Sequence, residues 1–141
     1  MLDMKLAQAK TLFFDRAKIE QAADRAQAKV HSQFGAFVRQ RARSSIRRSK
    51  KSSEPGKPPR AHGKALLKRN IVFVKSPGSV IIGAVRLNGR TGSLPAPKIL
   101  EHGGTTTIDH RRATYKPRPF MAPAAAAELP KLPALWQGAI K

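Results

Sequence analysis

A chain of 141 residues has room for one compact domain, and 28 Lys and Arg against 8 Asp and Glu give it a formal net charge of +20. Folding must work against that self-repulsion, so a polyanionic or acidic partner is expected: nucleic acid, an acidic protein surface or an anionic membrane. The absence of cysteine excludes disulfides, thiolate metal sites and cysteine nucleophiles, and no apolar run approaches the roughly 20 residues that a bilayer-spanning helix needs.

The start of the chain, Met1-Leu2-Asp3-Met4-Lys5, lacks the basic-then-apolar order of a signal peptide. The first fifteen residues, with Leu6, Leu12, Phe13 and Phe14, fit a separate short helix or an extension of the next one. Ile19, Ala23, Ala26, Val30, Phe34, Phe37 and Val38 then recur at spacings of three and four, which puts them on one helical stripe. No proline occurs before Pro55, so the spacing predicts a helix over about 16–47, roughly 48 Å long at 1.5 Å per residue. Gly35 weakens it by about 1 kcal/mol relative to Ala. A helix of this length exceeds what a small domain covers: one reading packs part of it on the domain's own sheet, and a sharper one packs the remainder on a neighbouring subunit.

Residues 49–63, SKKSSEPGKPPRAHG, are rich in Ser, Pro and Gly and read as a flexible or partner-bound loop. A helical turn at 64–69 comes next. Ile71–Val74 and Val80–Val85, β-branched and separated by Ser76-Pro77-Gly78-Ser79, predict an antiparallel hairpin over 70–86. Residues 87–97 form a second Gly- and Pro-rich loop. Residues 97–102 suit a short helix stopped by Gly103-Gly104. Thr105–Ile108 and Ala113–Lys116 are expected to supply one further strand with a bend, near 105–116. Pro123 suits the first turn of a closing helix at about 121–129, after which Pro130 and Pro133 predict an irregular end anchored by Leu135 and Trp136.

The expected fold class is therefore α+β, a long N-terminal helix packed beside a small antiparallel β-sheet. It forms a single domain over 1–141: a helical arm at 1–48, a loop at 49–63, and a sheet-containing core at 64–141 with a C-terminal helix or tail. Much of the 40% hydrophobic content is alanine, so the core is thin. An obligate oligomer is expected.

Catalytic constellations are poorly represented. The histidines are His31, His62, His102 and His110, and none belongs to an HExxH motif; Glu101, His102 and His110 are the residues that a small hydrolase would have to use. There is no GxSxG, and Gly63-Lys64 lacks the upstream glycine and following Ser or Thr of a P-loop. The chain is read as a non-enzyme, with no metal and no cofactor. The basic stretch is more informative. Arg39, Arg41, Arg43, Arg47, Arg48, Lys50 and Lys51 lie together, and no acid occurs between Asp24 and Glu54. A solvated helix face normally interleaves both signs. Phosphate contacts from outside the chain would compensate these charges, and no signature of base-specific reading is present.

The order of motifs also resembles a known family. Pro55-Gly56-Lys57-Pro58-Pro59-Arg60-Ala61-His62-Gly63, followed by Leu66-Leu67-Lys68-Arg69-Asn70-Ile71, resembles the "PG-x-PP…TG-x-L-x-x-SI" passage of the HK97 gp10-like tail-completion or head–tail joining (neck) proteins of tailed phages. Ser79–Gly83 is similar to that family's second hairpin strand. Ala96–Thr105, with Glu101, His102 and Gly103, resembles its "YA-x-x-x-E-F/H-G-T" turn, and Pro117-Arg118-Pro119-Phe120-Met121-Ala122-Pro123-Ala124 resembles its "PRPFMRPA" segment. Ala122 departs from the family's usual Arg, and Lys98 lies near a position that is often aromatic there.

The resemblance covers about 15–140. It implies a structural virion protein, assembled in the host cytoplasm, that completes the tail end and joins tail to head as a ring around the DNA path, with six subunits expected. The implied partners are further copies of itself, a head–tail adaptor or stopper, a tail terminator, and genomic DNA contacted non-specifically, with no membrane. The basic stretch then faces the lumen, and Pro55, Gly56, Pro58, Pro59, Gly63, Glu101, Gly103, Pro117, Arg118, Pro119 and Phe120 become candidate partner contacts. The competing reading is a ribosomal or other RNA-binding protein, which suits the charge but offers few stacking residues, since Phe, Trp and Tyr make up 6% of the chain.

Overall fold

A computed structural model describes residues 16–85, 96–108 and 111–139. The expectations for the first fifteen residues, for most of the loop at 87–97, and for His110 lie outside these. The predicted long helix is α1, Arg16–Ser45. Its end is marked by Ser44 and Ser45, whose hydroxyls donate to the carbonyls of Arg41 and Ala42, each at 2.8 Å. These back-bonds from hydroxyl to the carbonyl three residues earlier compete with the backbone ladder where the helix stops. Ala26, Val30, Val38 and Ala42 are buried, and Ile46, just beyond the helix, extends the same row. Ile19, Ala23 and Phe37 were expected on this stripe but are exposed, Ile19 to 63%.

The hairpin explains where burial stops. β1 (Ile71–Ser76) pairs antiparallel with β2 (Ser79–Ala84), in a register that sets Phe73 opposite Ile82 and Val74 opposite Ile81. Pro77 takes the first corner of the turn and Gly78, at φ +74, the second, as a type II turn requires. Strand alternation sends Ile71, Phe73, Val80 and Ile82 to one face, and that face lies on α1. The approach is close: a Cβ on Gly35 would sit 2.7 Å from Phe73 Cδ2 and 3.1 Å from Val80 Cγ2. Gly35 thus gives up helix propensity to let the hairpin dock. The turn reaches α1 near Gln27, whose Nε2 lies 3.9 Å from the Cβ position of Gly78, so the first turns of the helix run past the hairpin's tip.

The loop at 49–63 was expected to be flexible or partner-bound; the structure instead lays it on the chain's own core. Ser49 N donates to Ala61 O at 3.2 Å and Ala61 N to Arg47 O at 2.9 Å, forming a short parallel bridge between Arg48 and Ala61. Gly56 N donates to Pro117 O at 2.9 Å, and Arg118 Nε to Ser53 O at 3.0 Å. A proline-rich segment has few N–H donors, and these bonds use them where the loop crosses buried ground. The loop leads into α2, Leu66–Arg69.

The last third of the chain departs from expectation in two places. Helix α3 (Ala96–His102) ends as predicted at Gly103, whose φ is +73 and whose N–H donates to Ile99 O at 2.8 Å. Beyond it the chain forms two strands and not one with a bend: β3 (Gly104–Ile108) pairs antiparallel with β4 (Arg111–Tyr115), as a sheet separate from the first hairpin. Its threonines pair locally, with the Thr105 and Thr114 hydroxyls 3.2 Å apart. The second departure is at the end, where an irregular tail was expected. Helix α4 (Met121–Glu128) runs through a 3-10 turn at Leu129–Lys131 into helix α5, Leu132–Gln137. Pro123, Pro130 and Pro133 each stand within the opening turn of their element, where a missing N–H removes no helical bond.

The core unites these parts. Val38, Ala42, Ile46, Ala61, Ala65, Ile71, Phe120 and Ala124 form one buried cluster, drawn from α1, the loop, the entry to α2, β1 and α4. Most of its side chains are small, and Phe120, 1% exposed, is the largest among the fully buried ones.

Candidate nucleic-acid interface

The acids explain the charge map. Glu20 pairs with Arg16 at 2.7 Å and Glu54 with Lys57 at 2.6 Å, both at one-turn spacing. Glu128, only 5% exposed, receives both Arg41 and Lys131, the latter at 2.8 Å. Hydrogen bonds first from Lys131 and then from Arg41 hold its carboxyl below the usual carboxylate range, against the opposing effect of burial. The Glu101 carboxylate accepts the backbone N–H groups of Phe120, Met121 and Ala122 at 2.9, 3.0 and 2.8 Å, and so closes the open N-terminal end of α4. Glu128 and Glu101 thus join elements of the fold, while Glu20 and Glu54 form exposed local pairs at the surface.

The basic stretch is split by helical geometry. Arg41 and Arg43 are two residues apart and project about 200° apart around α1, so they open onto different sides of its C-terminal end. On one side, Arg43, Arg48, Lys68 and Arg69 surround an open cleft of about 510 Å³ with Ala65 in its wall. On the other, Arg41, Arg47, Lys57 and Arg60 line a second cleft of about 450 Å³ together with Ser44, Ser45 and Pro58. Lys50 and Lys51 are exposed and line neither. Arg39 is half-buried near Arg43.

The two clefts differ in compensation. In the second, Arg41 is held by Glu128 and Lys57 by Glu54. In the first, among the described residues, no carboxylate reaches any of the four cations. Arg43 Nη2 donates to the Arg69 carbonyl at 2.7 Å, while its Nε is buried with no protein partner among those residues. Burial, followed by repulsion from Arg39, lowers the Arg43 pKa from its ordinary value. The end of a helix attracts positive charge through a partial charge of about −0.5, which is too little to balance four cations. Ala65 adds backbone strain at the same spot, with φ +53 in the left-handed region that alanine rarely adopts.

The sequence points to seven cations in one run. The fold keeps four of them, Arg41, Arg43, Arg47 and Arg48, at the clefts. It adds Lys57, Arg60, Lys68 and Arg69, which the run of charge does not include. Their only signal is positive charge in a loop and a short helix, and nothing local ties them to α1.

The motif residues expected as partner contacts are placed mostly inside the fold. Phe120 belongs to the core, and Pro59 is buried. Glu101 caps α4, and Gly103 carries the α3 stop, where a Cβ would lie 2.9 Å from the Tyr115 carbonyl and 3.0 Å from the Pro117 ring. Arg118 ties the loop to α3 through its backbone N–H, 2.6 Å from Leu100 O, as well as through its guanidinium. Pro119 is half-buried, Pro58 faces the second cleft, and Pro55, Gly56, Gly63 and Pro117 lie at the surface. These residues belong to three separate stretches of sequence, and the fold brings them together as the brace between loop, α3 and α4.

Of the residues a hydrolase would use, Glu101 accepts three backbone N–H groups and His102 is exposed at the end of α3, while His110 lies outside the described residues. Among the described residues, no group of three or more His, Cys, Asp or Glu converges as a metal site, and no helix is long and apolar enough to cross a membrane. No family model, no curated protein and no solved structure matches this chain.

Proposed function

We propose that this protein is a structural, non-catalytic subunit of the neck of a tailed-phage particle. In this reading it completes the tail end and joins tail to head as a ring of copies around the DNA path, contacting adaptor or stopper and tail-terminator proteins. The observation that carries the reading is the pair of apolar surfaces left uncovered on an otherwise thrifty core. The outer face of the first hairpin presents Val74 and Ile81 directly opposite each other, 59% and 67% exposed, with Val85 beyond them at 52%. The first turns of α1 present Ile19 in the same way. A chain that buries so little apolar area gains from neighbours that cover such surfaces. The order of the PGKPP, EHGGT and PRPFM segments supports the phage assignment in particular, and the basic clefts suit a subunit close to packaged DNA.

The test is assembly. Purified full-length protein, run on a sizing column with light scattering, is expected as a closed oligomer, and it should be carried in intact particles of its producing strain. A monomer at high concentration that is also absent from particles defeats the proposal.

A further inference from the structure

We propose that the cleft between the end of α1 and the helix α2, walled by Arg43, Arg48, Lys68 and Arg69, is a binding site for the phosphodiester backbone of nucleic acid. This deepens the neck reading by naming the residues that meet the DNA, although it stands on a separate observation.

That observation is a contrast in how cations are treated. At the second cleft carboxylates reach two of the four cations, Glu128 meeting Arg41 and Glu54 meeting Lys57. Around this cleft, among the described residues, the chain supplies none, although four like charges there repel one another and are drawn together by the fold from two distant stretches of sequence. Arg43 is also oriented before any ligand arrives, because its Nη2 is fixed on the Arg69 carbonyl and its Nε is buried without a protein partner among those residues. A guanidinium already held in place loses little further freedom on binding an oxyanion. Phosphate suits the site better than carboxylate, since successive phosphates along a strand offer several acceptors to cations spread around one cleft. Contacts of this kind fix position on the strand and carry no sequence preference.

The test uses the full-length protein and a fluorescently labelled 20-base-pair duplex, with anisotropy measured across a salt series. Arg43 is left intact because it bonds the backbone. Arg48→Ala with Lys68→Ala should weaken binding about tenfold or more near 0.1 M salt and flatten the slope of log K against log salt by about 2. The control, Arg111→Ala with Arg112→Ala, removes the same charge from exposed positions on β4 and should weaken binding by less than about threefold. Arg48→Gln with Lys68→Gln, which preserves side-chain bulk, should repeat the cleft result with an unchanged melting temperature.

Equal losses in the cleft and control variants overturn the proposal, because net charge alone then explains binding. Competition by polyglutamate as effective as that by DNA also overturns it, in favour of an acidic protein partner. Single-stranded RNA bound more tightly than the duplex, with the same dependence on Arg48 and Lys68, upholds the cleft and removes the neck reading. Loss of ring assembly with cleft binding intact separates the two in the same way.

Discussion

The two halves of α1 obey the same local rules and meet opposite fates. From Val30 to Ala42 its apolar row is sealed by the hairpin, the loop and α4. From Arg16 to Arg25 every residue is exposed, Ile19 to 63%. Helical periodicity is the same along both halves. What differs is whether a second element lies within reach, which means that amphipathicity proves a face and not its burial. The sealed half carries the fold, and the open half takes no part in its core.

The largest effect that would break the sealed half is loss of its central aromatic. Phe120→Ala should cost about 3–5 kcal/mol in urea unfolding, which is enough to leave a domain of this size marginal or unfolded. Next comes the brace that holds the start of α4 against α3. Glu101→Ala leaves three N–H groups without their charged acceptor and should cost about 2 kcal/mol, with Glu101→Gln recovering part of the loss. Gly35→Ala sharpens the contrast through its sign. On an exposed helix the change should stabilise by about 1 kcal/mol, but here the new methyl meets the Phe73 ring, and a loss of about 1–2 kcal/mol is expected from overpacking. A gain in melting temperature would show that the hairpin does not press on α1.

Acidity acts on the contact between α1 and α4, where Arg41 meets Glu128. Lys131 and Arg41 hold the Glu128 carboxyl below its ordinary pKa, so the unfolded chain takes up a proton there before the folded one does. The stabilisation is complete at pH values above the ordinary carboxylate range and drains away as pH falls through the lowered value. Melting temperature followed from pH 7 downward should therefore fall more steeply for the wild type than for Glu128→Gln. The smallest effect belongs to the open half: Ile19→Ser should shift unfolding of the isolated chain by less than about 0.5 kcal/mol. If α1 packs against neighbouring copies, the same change should weaken oligomerisation at unchanged thermal stability.

Much of this architecture was legible from local signals. The α+β class, α1 to within two residues of its end, the first hairpin and its Pro77-Gly78 turn, and the Gly103 stop all derive from periodicity, β-branching and turn chemistry. The second hairpin reads in sequence as a single bent strand because Thr105–Ile108 and Arg111–Tyr115 lack an apolar alternation to mark two partners. The tail reads as irregular because three prolines look like breakers until each is seen in an opening turn. Of the candidate site, the sequence showed the Arg41–Arg48 half, where charge density is visible in one run. Lys68 and Arg69 come from the far side of a fifteen-residue loop.

Composition and periodicity by themselves determined a long helix, a hairpin, a thin core and a large surplus of positive charge, because those depend on neighbours along the chain. Only the tertiary structure decided which cations stand without an acid, why Gly35 sits in mid-helix, and that the PGKPP and PRPFM segments brace each other. Those outcomes depend on which surfaces come within a few ångströms in space, and a sequence states separations along the chain alone.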